Sequence, residues 1–155
     1  VFVAQKLDFD ALDENRLRTR EIGDAASVVS AYPGVRQALF EGQRLFAQKK
    51  PGAVLDGRDI GTVICPEAEA KLFITASPEI RAHRRWLELV KLDPALSEES
   101  VLEDIRRRDE RDSNRSNAPL KIADDARLLD TSGMDIETAS REALRLIEAR
   151  LTRKG

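Results

Sequence analysis

One cysteine, one histidine, one tryptophan, one tyrosine and one methionine occur in 155 residues, and each scarcity excludes something. A lone Cys65 leaves no internal disulfide, and with a lone His83 it cannot complete a zinc site. A reducing cytoplasm is the expected setting. No apolar run approaches the roughly 20 residues that a membrane helix needs. The chain opens on Val1-Phe2-Val3 and turns acidic by Asp8 and Asp10, so no secretory leader is expected. Charge of one sign is missing too: 26 basic side chains face 28 acidic ones, for a net charge of −2. That balance argues against nucleic acid or a membrane surface as the partner. Internal repeats and low-complexity stretches are also absent. What remains is a chain of one-domain size, 41% hydrophobic and 35% charged, long enough to bury a core.

Apolar spacing alternates between two periods along the chain. Residues 14–31 and 33–48 read as helices; in the second, Val35, Ala38, Leu39, Gly42, Leu45 and Phe46 fall on one stripe, with Pro33 suited to the first turn. Ala53-Val54-Leu55, between Pro51-Gly52 and Asp56-Gly57, reads as a short buried strand. Lys71–Thr75 reads as a second. Ser77, Pro78 and Glu79 then give a cap, a first-turn proline and an acidic residue, predicting a helix over 78–91. Another helix is predicted from Ser97 to about Asp112. A third strand is expected at Leu128–Thr131. A final helix is marked by Ile136, Ala139, Ala143, Leu144, Ile147 and Leu151. Strands alternating with helices indicate an α/β domain with a parallel sheet, whose ligands gather at the carboxyl ends of the strands.

Four constellations carry chemistry. Asp56-Gly57-Arg58-Asp59 follows an apolar strand, which places a carboxylate within reach of a Mg²⁺ shell and a planar guanidinium where it can grip a phosphate. The same residues also suit a plain turn whose Arg and Asp pair in solvent. In Arg106–Arg115, the residues Arg108, Asp112 and Arg115 fall at i, i+4 and i+7, one helical face able to hold a phosphate and a ribose hydroxyl. The bland alternative is a set of i,i+4 ion pairs on a wet face. Arg81 and Arg85 lie one turn apart in Arg81-Ala82-His83-Arg84-Arg85, at a helix start where basic residues oppose the macrodipole. His83 reads as a surface histidine and Trp86 as core. The fourth, Ala25 to Arg36, mixes small residues with Ser27 and Arg36, and alone it reads as a helix–helix junction.

Taken together and in this order, these runs resemble bacterial cytidylate kinase. The likeness rests on RTREIGDAASVVSAYPGVR (18–36), LDGRDIGTV (55–63), KLFITASPEIRAHRR (71–85) and RDERDSNRSNAPL (108–120), and it covers nearly everything from Leu17 onward. The resemblance implies an α/β fold, a partial P-loop kinase-type parallel sheet flanked by helices, lacking the P-loop strand. Residues 1–30 would be the end of an inserted CMP-side subdomain, and 31–155 the rest of the kinase core with a short arginine-rich lid. The implied activity is phosphoryl transfer from ATP to CMP or dCMP with Mg²⁺, by a protein that is monomeric when intact. Ser27, Arg36 and Asp59 match positions that read cytosine. Arg58 and Arg115 match arginines on the CMP phosphate, while Arg108 and Asp112 match residues near ribose and phosphate. Asp56 matches the Mg²⁺-side carboxylate, and Arg81 and Arg85 match lid arginines on the ATP phosphates. Asp56, Arg58 and Arg115 would carry the catalytic role.

One departure stands out. The family cradles ATP phosphates in a G-x-x-x-x-G-K-type loop, and no such run occurs in these residues. The expectation is therefore an N-terminally truncated chain that does not form CDP by itself, with a gap in its sheet between the strand before Asp56 and the strand before Ala76. Two further readings compete: a monophosphate kinase for UMP or AMP, and a non-catalytic remnant that binds nucleotides through its arginines. Two groups seeking the cytosine amino donor, Ser27 and Asp59, disfavour the first.

Overall fold

Local capping chemistry starts most of the helices. In the computed structural model, which describes residues 1–7, 13, 17, 19–114 and 118–152, Ser77 Oγ accepts from the Ile80 amide at 3.3 Å with Pro78 in the first turn. Ser97 Oγ does the same for Ser100 at 3.2 Å. Thr19 caps through its side chain onto Ile22, and Asp135 onto Thr138 at 2.7 Å. Each satisfies an amide that the first helical turn leaves without a partner. The elements in chain order are α1 (Phe2–Gln5), α2 (Arg20–Val29), α3 (Pro33–Ala47), β1 (Leu72–Thr75), α4 (Pro78–Leu89), α5 (Glu98–Asn114), β2 (Arg127–Asp130) and α6 (Ile136–Leu151). A single wide π-type turn, Ile60–Ile64, stands between α3 and β1. The helix expected over 14–31 is seen from Arg20; most of its first turns lie outside the described residues.

The strands β1 and β2 pair in parallel, with Leu72 opposite Arg127 and Thr75 opposite Asp130. The connection between them carries α4 and α5, as a parallel crossover requires. This is the helix-flanked parallel sheet expected, at two strands. Leu129 is buried in this sheet, while Ile74 opposite it on β1 and Leu128 on the other face are exposed.

The strand expected at Ala53–Leu55 is not formed. A strand exists only where a neighbour supplies ladder hydrogen bonds. No described strand runs beside this segment, and Val54 is 93% exposed. The apolar stripes of α3 and α6 are likewise only half covered: Leu45, Phe46, Ile136 and Leu144 are exposed, and neither helix has a buried residue.

The best-packed part of the described molecule joins α4 to α5. Ala82, Leu89 and Val101 are buried together, with Trp86, Leu96, Leu102 and Ile105 against them. Trp86 Nε1–H donates to Leu96 O at 2.9 Å, so the indole buries its ring without losing its hydrogen bond. Arg81–Asp109 and Arg106–Glu79 join the same helices at the rim. His83 is half-exposed beside Glu98, as a surface histidine should be.

Candidate functional site

Asp59 is fixed by the turn that follows it. Its carbonyl accepts from the amides of Val63 at 2.8 Å and Thr62 and Ile64 at 3.3 Å, and the π-type turn is closed by the Cys65 amide on Ile60 O at 2.7 Å. Arg44 of α3 closes the far side by donating to Ile64 O at 2.8 Å. Gly57 is required for a close approach: a Cβ there would lie 2.9 Å from Ile60 Cγ1. The Asp59 side chain is buried and forms an ion pair with Arg36 of α3. Arg36 Nη1 also donates to Ser30 O at 3.3 Å, at the end of α2. Arg36 and Asp59 are therefore neighbours, as the base-reading assignment requires, and each already engages the other.

Arg58 turns the other way. Its Nε lies 3.2 Å from Asp112 Oδ2, and Arg108 Nε approaches the same oxygen at 3.9 Å. Asp112 is 3% exposed. Two guanidinium groups thus share one buried carboxylate. Burial, followed by the charge of Arg58, pushes Arg108 below the ordinary arginine value. Such a cluster carries surplus positive charge in a partly desolvated place, and an anion relieves it.

Beside it opens a cleft of about 390 Å³, lined by Ser27, Val28, Ala31, Tyr32, Arg111 and Asp112. That volume suits a small ligand. Ser27 is 7% exposed, and its hydroxyl has no hydrogen-bond partner among the described residues. A buried hydroxyl in that condition, on the wall of a cleft, is available to a ligand. Arg111 Nε is buried in the same state.

The structure thus brings Ser27 and Asp112 to one cleft, with Arg58 and Arg108 drawn to Asp112, and the Arg36–Asp59 pair adjoins Arg58 through its chain neighbour Asp59. Asp56 is exposed, and no described residue bonds to it. Arg115 lies outside the described residues. Arg81 donates both terminal nitrogens to Asp109, at 2.9 and 2.6 Å, and its Nε to Ala76 O at 3.0 Å; the Asp109 bonds raise its pKa. Arg85 reaches Glu88 at 2.8 Å. Arg81 is thus held by a carboxylate across the α4–α5 rim, and Arg85 by one within α4. Two lining residues, Arg111 and Tyr32, escaped the sequence reading although a signal existed for the first. The spacing 108, 112, 115 omits position i+3, which belongs to the same helical face.

A Mg²⁺ ion is held in phosphoryl-transfer sites by one or two carboxylates, waters and substrate phosphates. A single exposed carboxylate such as Asp56 fits that pattern. Among the described residues there is no cluster of three or more ligating side chains that would hold an ion alone. No helix among them is long and apolar enough to cross a membrane.

Comparison with known proteins extends the geometry. A profile of the family described as cytidylate kinase matches residues 5–149. A cytidylate kinase of Azorhizobium caulinodans is 60% identical over 148 residues, which cover 96% of this chain and 72% of that protein. One from Xanthobacter autotrophicus is 59% identical over 150 residues, covering 97% of this chain and 72% of the relative. The cytidylate kinase of Caulobacter sp. (strain K31) is 53% identical over 152 residues, covering 98% and 70% respectively.

Proposed function

Because the chain belongs to the cytidylate kinase family, we propose that its cleft takes CMP and that the intact protein passes the γ-phosphoryl group of ATP to the CMP phosphate. The observation that carries this reading is the pairing of an unpartnered buried Ser27 hydroxyl with a guanidinium-rich cluster on Asp112, at one cleft. A neutral hydroxyl facing a surplus of positive charge suits a ligand with a polar base at one end and an anion at the other.

Phosphoryl transfer needs positioning and charge stabilisation more than covalent help. Arg58 and Arg108, with Arg115, hold the CMP phosphate so that one oxygen points at the γ-phosphorus. As that oxygen bonds to phosphorus and the bond to the ADP oxygen breaks, their charges stabilise the negative equatorial oxygens. Asp112 keeps the two guanidinium groups in place without neutralising both. Ser27 and Asp59 accept from the cytosine amino group, and Arg36 donates to the ring acceptors. The carboxylate of Asp59 has lone pairs to spare while it holds Arg36. Asp56 would hold Mg²⁺, which when bound neutralises charge on the ATP phosphates. Arg81 and Arg85 serve the ATP phosphates by exchanging Asp109 and Glu88 for them. dCMP as a second substrate, residues 1–30 as the end of a CMP-side subdomain, a cytoplasmic setting and a monomeric state complete this reading.

Calorimetric titration of the chain with CMP, UMP and AMP tests it. CMP should bind more tightly than either competitor. Equal affinity for CMP and UMP would overturn the base assignment, and no binding of any nucleotide would overturn the site.

A further inference from the structure

Helix α2 carries the cleft hydroxyl, yet Ser27 is its one buried residue. What holds it against α5 is charge. Arg20 of α2 pairs with Asp104 of α5, and Arg111 Nη2 of α5 donates to Asp24 of α2 at 2.9 Å. The pairs run in opposite senses, with the cation on α2 in one and on α5 in the other. They are also staggered: Arg20 and Asp24 are one turn apart, and Asp104 and Arg111 two turns. Behind them lies a hollow of about 80 Å³, bounded by Arg20, Gly23, Asp24, Asp104 and Arg108 and backed by Leu89, Val101 and Ile105 of the α4–α5 contact. The bond from Arg111 also holds the Asp24 carboxyl below its ordinary pKa.

Asp24 lies three residues before Ser27, and Arg111 directly precedes Asp112. The second pair therefore adjoins the cleft whose walls those residues form. We propose that Arg20, Asp24, Asp104 and Arg111 are positioning residues, a crossed electrostatic clamp that sets the separation of Ser27 from Asp112 and with it the affinity of the cleft for nucleotide. The statement about affinity rests on the CMP reading above; the statement about the clamp does not. Both pairs are partly exposed, so salt weakens them, and α2 is the wall of the cleft that ionic strength loosens.

The test uses Asp24→Asn and Asp104→Asn, singly and together, in the full chain. These substitutions keep side-chain size and remove charge, and neither residue is in the assigned nucleotide machinery. Amide hydrogen exchange, without ligand, should show protection of residues 20–29 reduced about two- to fivefold in each single variant, the range an exposed pair supports. Residues 78–89 should stay unchanged. CMP affinity, measured by calorimetry, should fall by a similar factor. Raised salt should lower α2 protection in the parent and have little further effect in the double variant. Unchanged α2 protection overturns the clamp. Loosened α2 with parental CMP affinity overturns its positioning role. Tighter CMP binding in Asp24→Asn also overturns it, since Arg111 would then be a ligand group that Asp24 holds back. A parental chain with no CMP affinity refutes the substrate reading instead, and the exchange data then judge the clamp separately.

Discussion

Helix α5 has two neighbours, and they are attached by different physics. Against α4 it packs Ala82, Leu89, Val101 and the ring of Trp86. Against α2 it offers ion pairs across a small hollow, and Ser27 is the buried residue on the far side. Apolar burial is not screened by salt and gives roughly 25 cal/mol per Å² removed from water. Partly exposed ion pairs give little and are screened. The cleft therefore has one firm wall and one that yields, and the firm wall supplies Arg111 and Asp112. A site that must admit a nucleotide and then enclose it is well served by that asymmetry.

The comparison is broken most directly at the firm wall. Trp86→Ala deletes the largest side chain of the α4–α5 contact and leaves Leu96 O without its donor. It should destabilise the chain by about 3 kcal/mol, the lower end for a large aromatic truncation because the ring is only partly buried. Urea unfolding followed by far-UV circular dichroism measures it. A loss as small as that of Asp24→Asn would mean that the two interfaces do not differ in kind.

Beside the cleft, Arg58→Ala removes a cation from Asp112. CMP affinity should fall by about 2 kcal/mol, roughly thirtyfold, the scale of one charge-assisted contact. The unfolding midpoint should change much less, because Arg108 still faces the buried carboxylate. A lowered midpoint with unchanged CMP affinity would make Arg58 a structural brace.

Asp59→Ala sharpens the base assignment. It removes an acceptor for the cytosine amino group and a repulsion for the uracil carbonyl, so the ratio of CMP to UMP affinity should fall by about tenfold, near 1.4 kcal/mol. Arg36 loses its partner in the same change, so some stability is lost as well. The ratio separates the two effects, because an unfolding penalty weakens both nucleotides alike. Equal losses for CMP and UMP would assign Asp59 to the Arg36 pair alone.

How much of this was legible in the sequence follows the range of the interactions. Ser77-Pro78 and Pro33 announced their helices because capping and first-turn chemistry act within four residues. The strands β1 and β2 showed as apolar runs bounded by turns. The same signal misled at Ala53–Leu55, since apolar content does not say whether a neighbouring strand is present to pair with. The site divides in the same way. Asp56 to Asp59, and Arg108 with Asp112, could be grouped by adjacency or by helical spacing. The partners of Asp24 and Asp104 lie 87 and 84 residues away in the chain, and no local pattern reaches that far. Asp104 pairs with Arg20 and Arg107, and the first of these lies on another helix.

The smallest expected effect is the most discriminating. Ser27 sits on the yielding wall with a buried hydroxyl that no described residue engages. An unsatisfied buried polar group contributes nothing to the empty fold and carries a desolvation penalty. Ser27→Ala should therefore leave the unfolding midpoint unchanged or raise it slightly. Bound CMP changes the sign: the hydroxyl then accepts from the cytosine amino group, and its loss should weaken CMP by about 1 kcal/mol, near fivefold. UMP, which brings a carbonyl to the same place, should weaken less, because a hydroxyl can rotate to donate but gains less from doing so. The direction matches that of Asp59→Ala, and the size is smaller because the acceptor is neutral. Stability and affinity moving in opposite directions is a signature that a merely structural serine cannot produce. A lowered midpoint with unchanged CMP affinity would place Ser27 in the packing of α2 and remove it from the site.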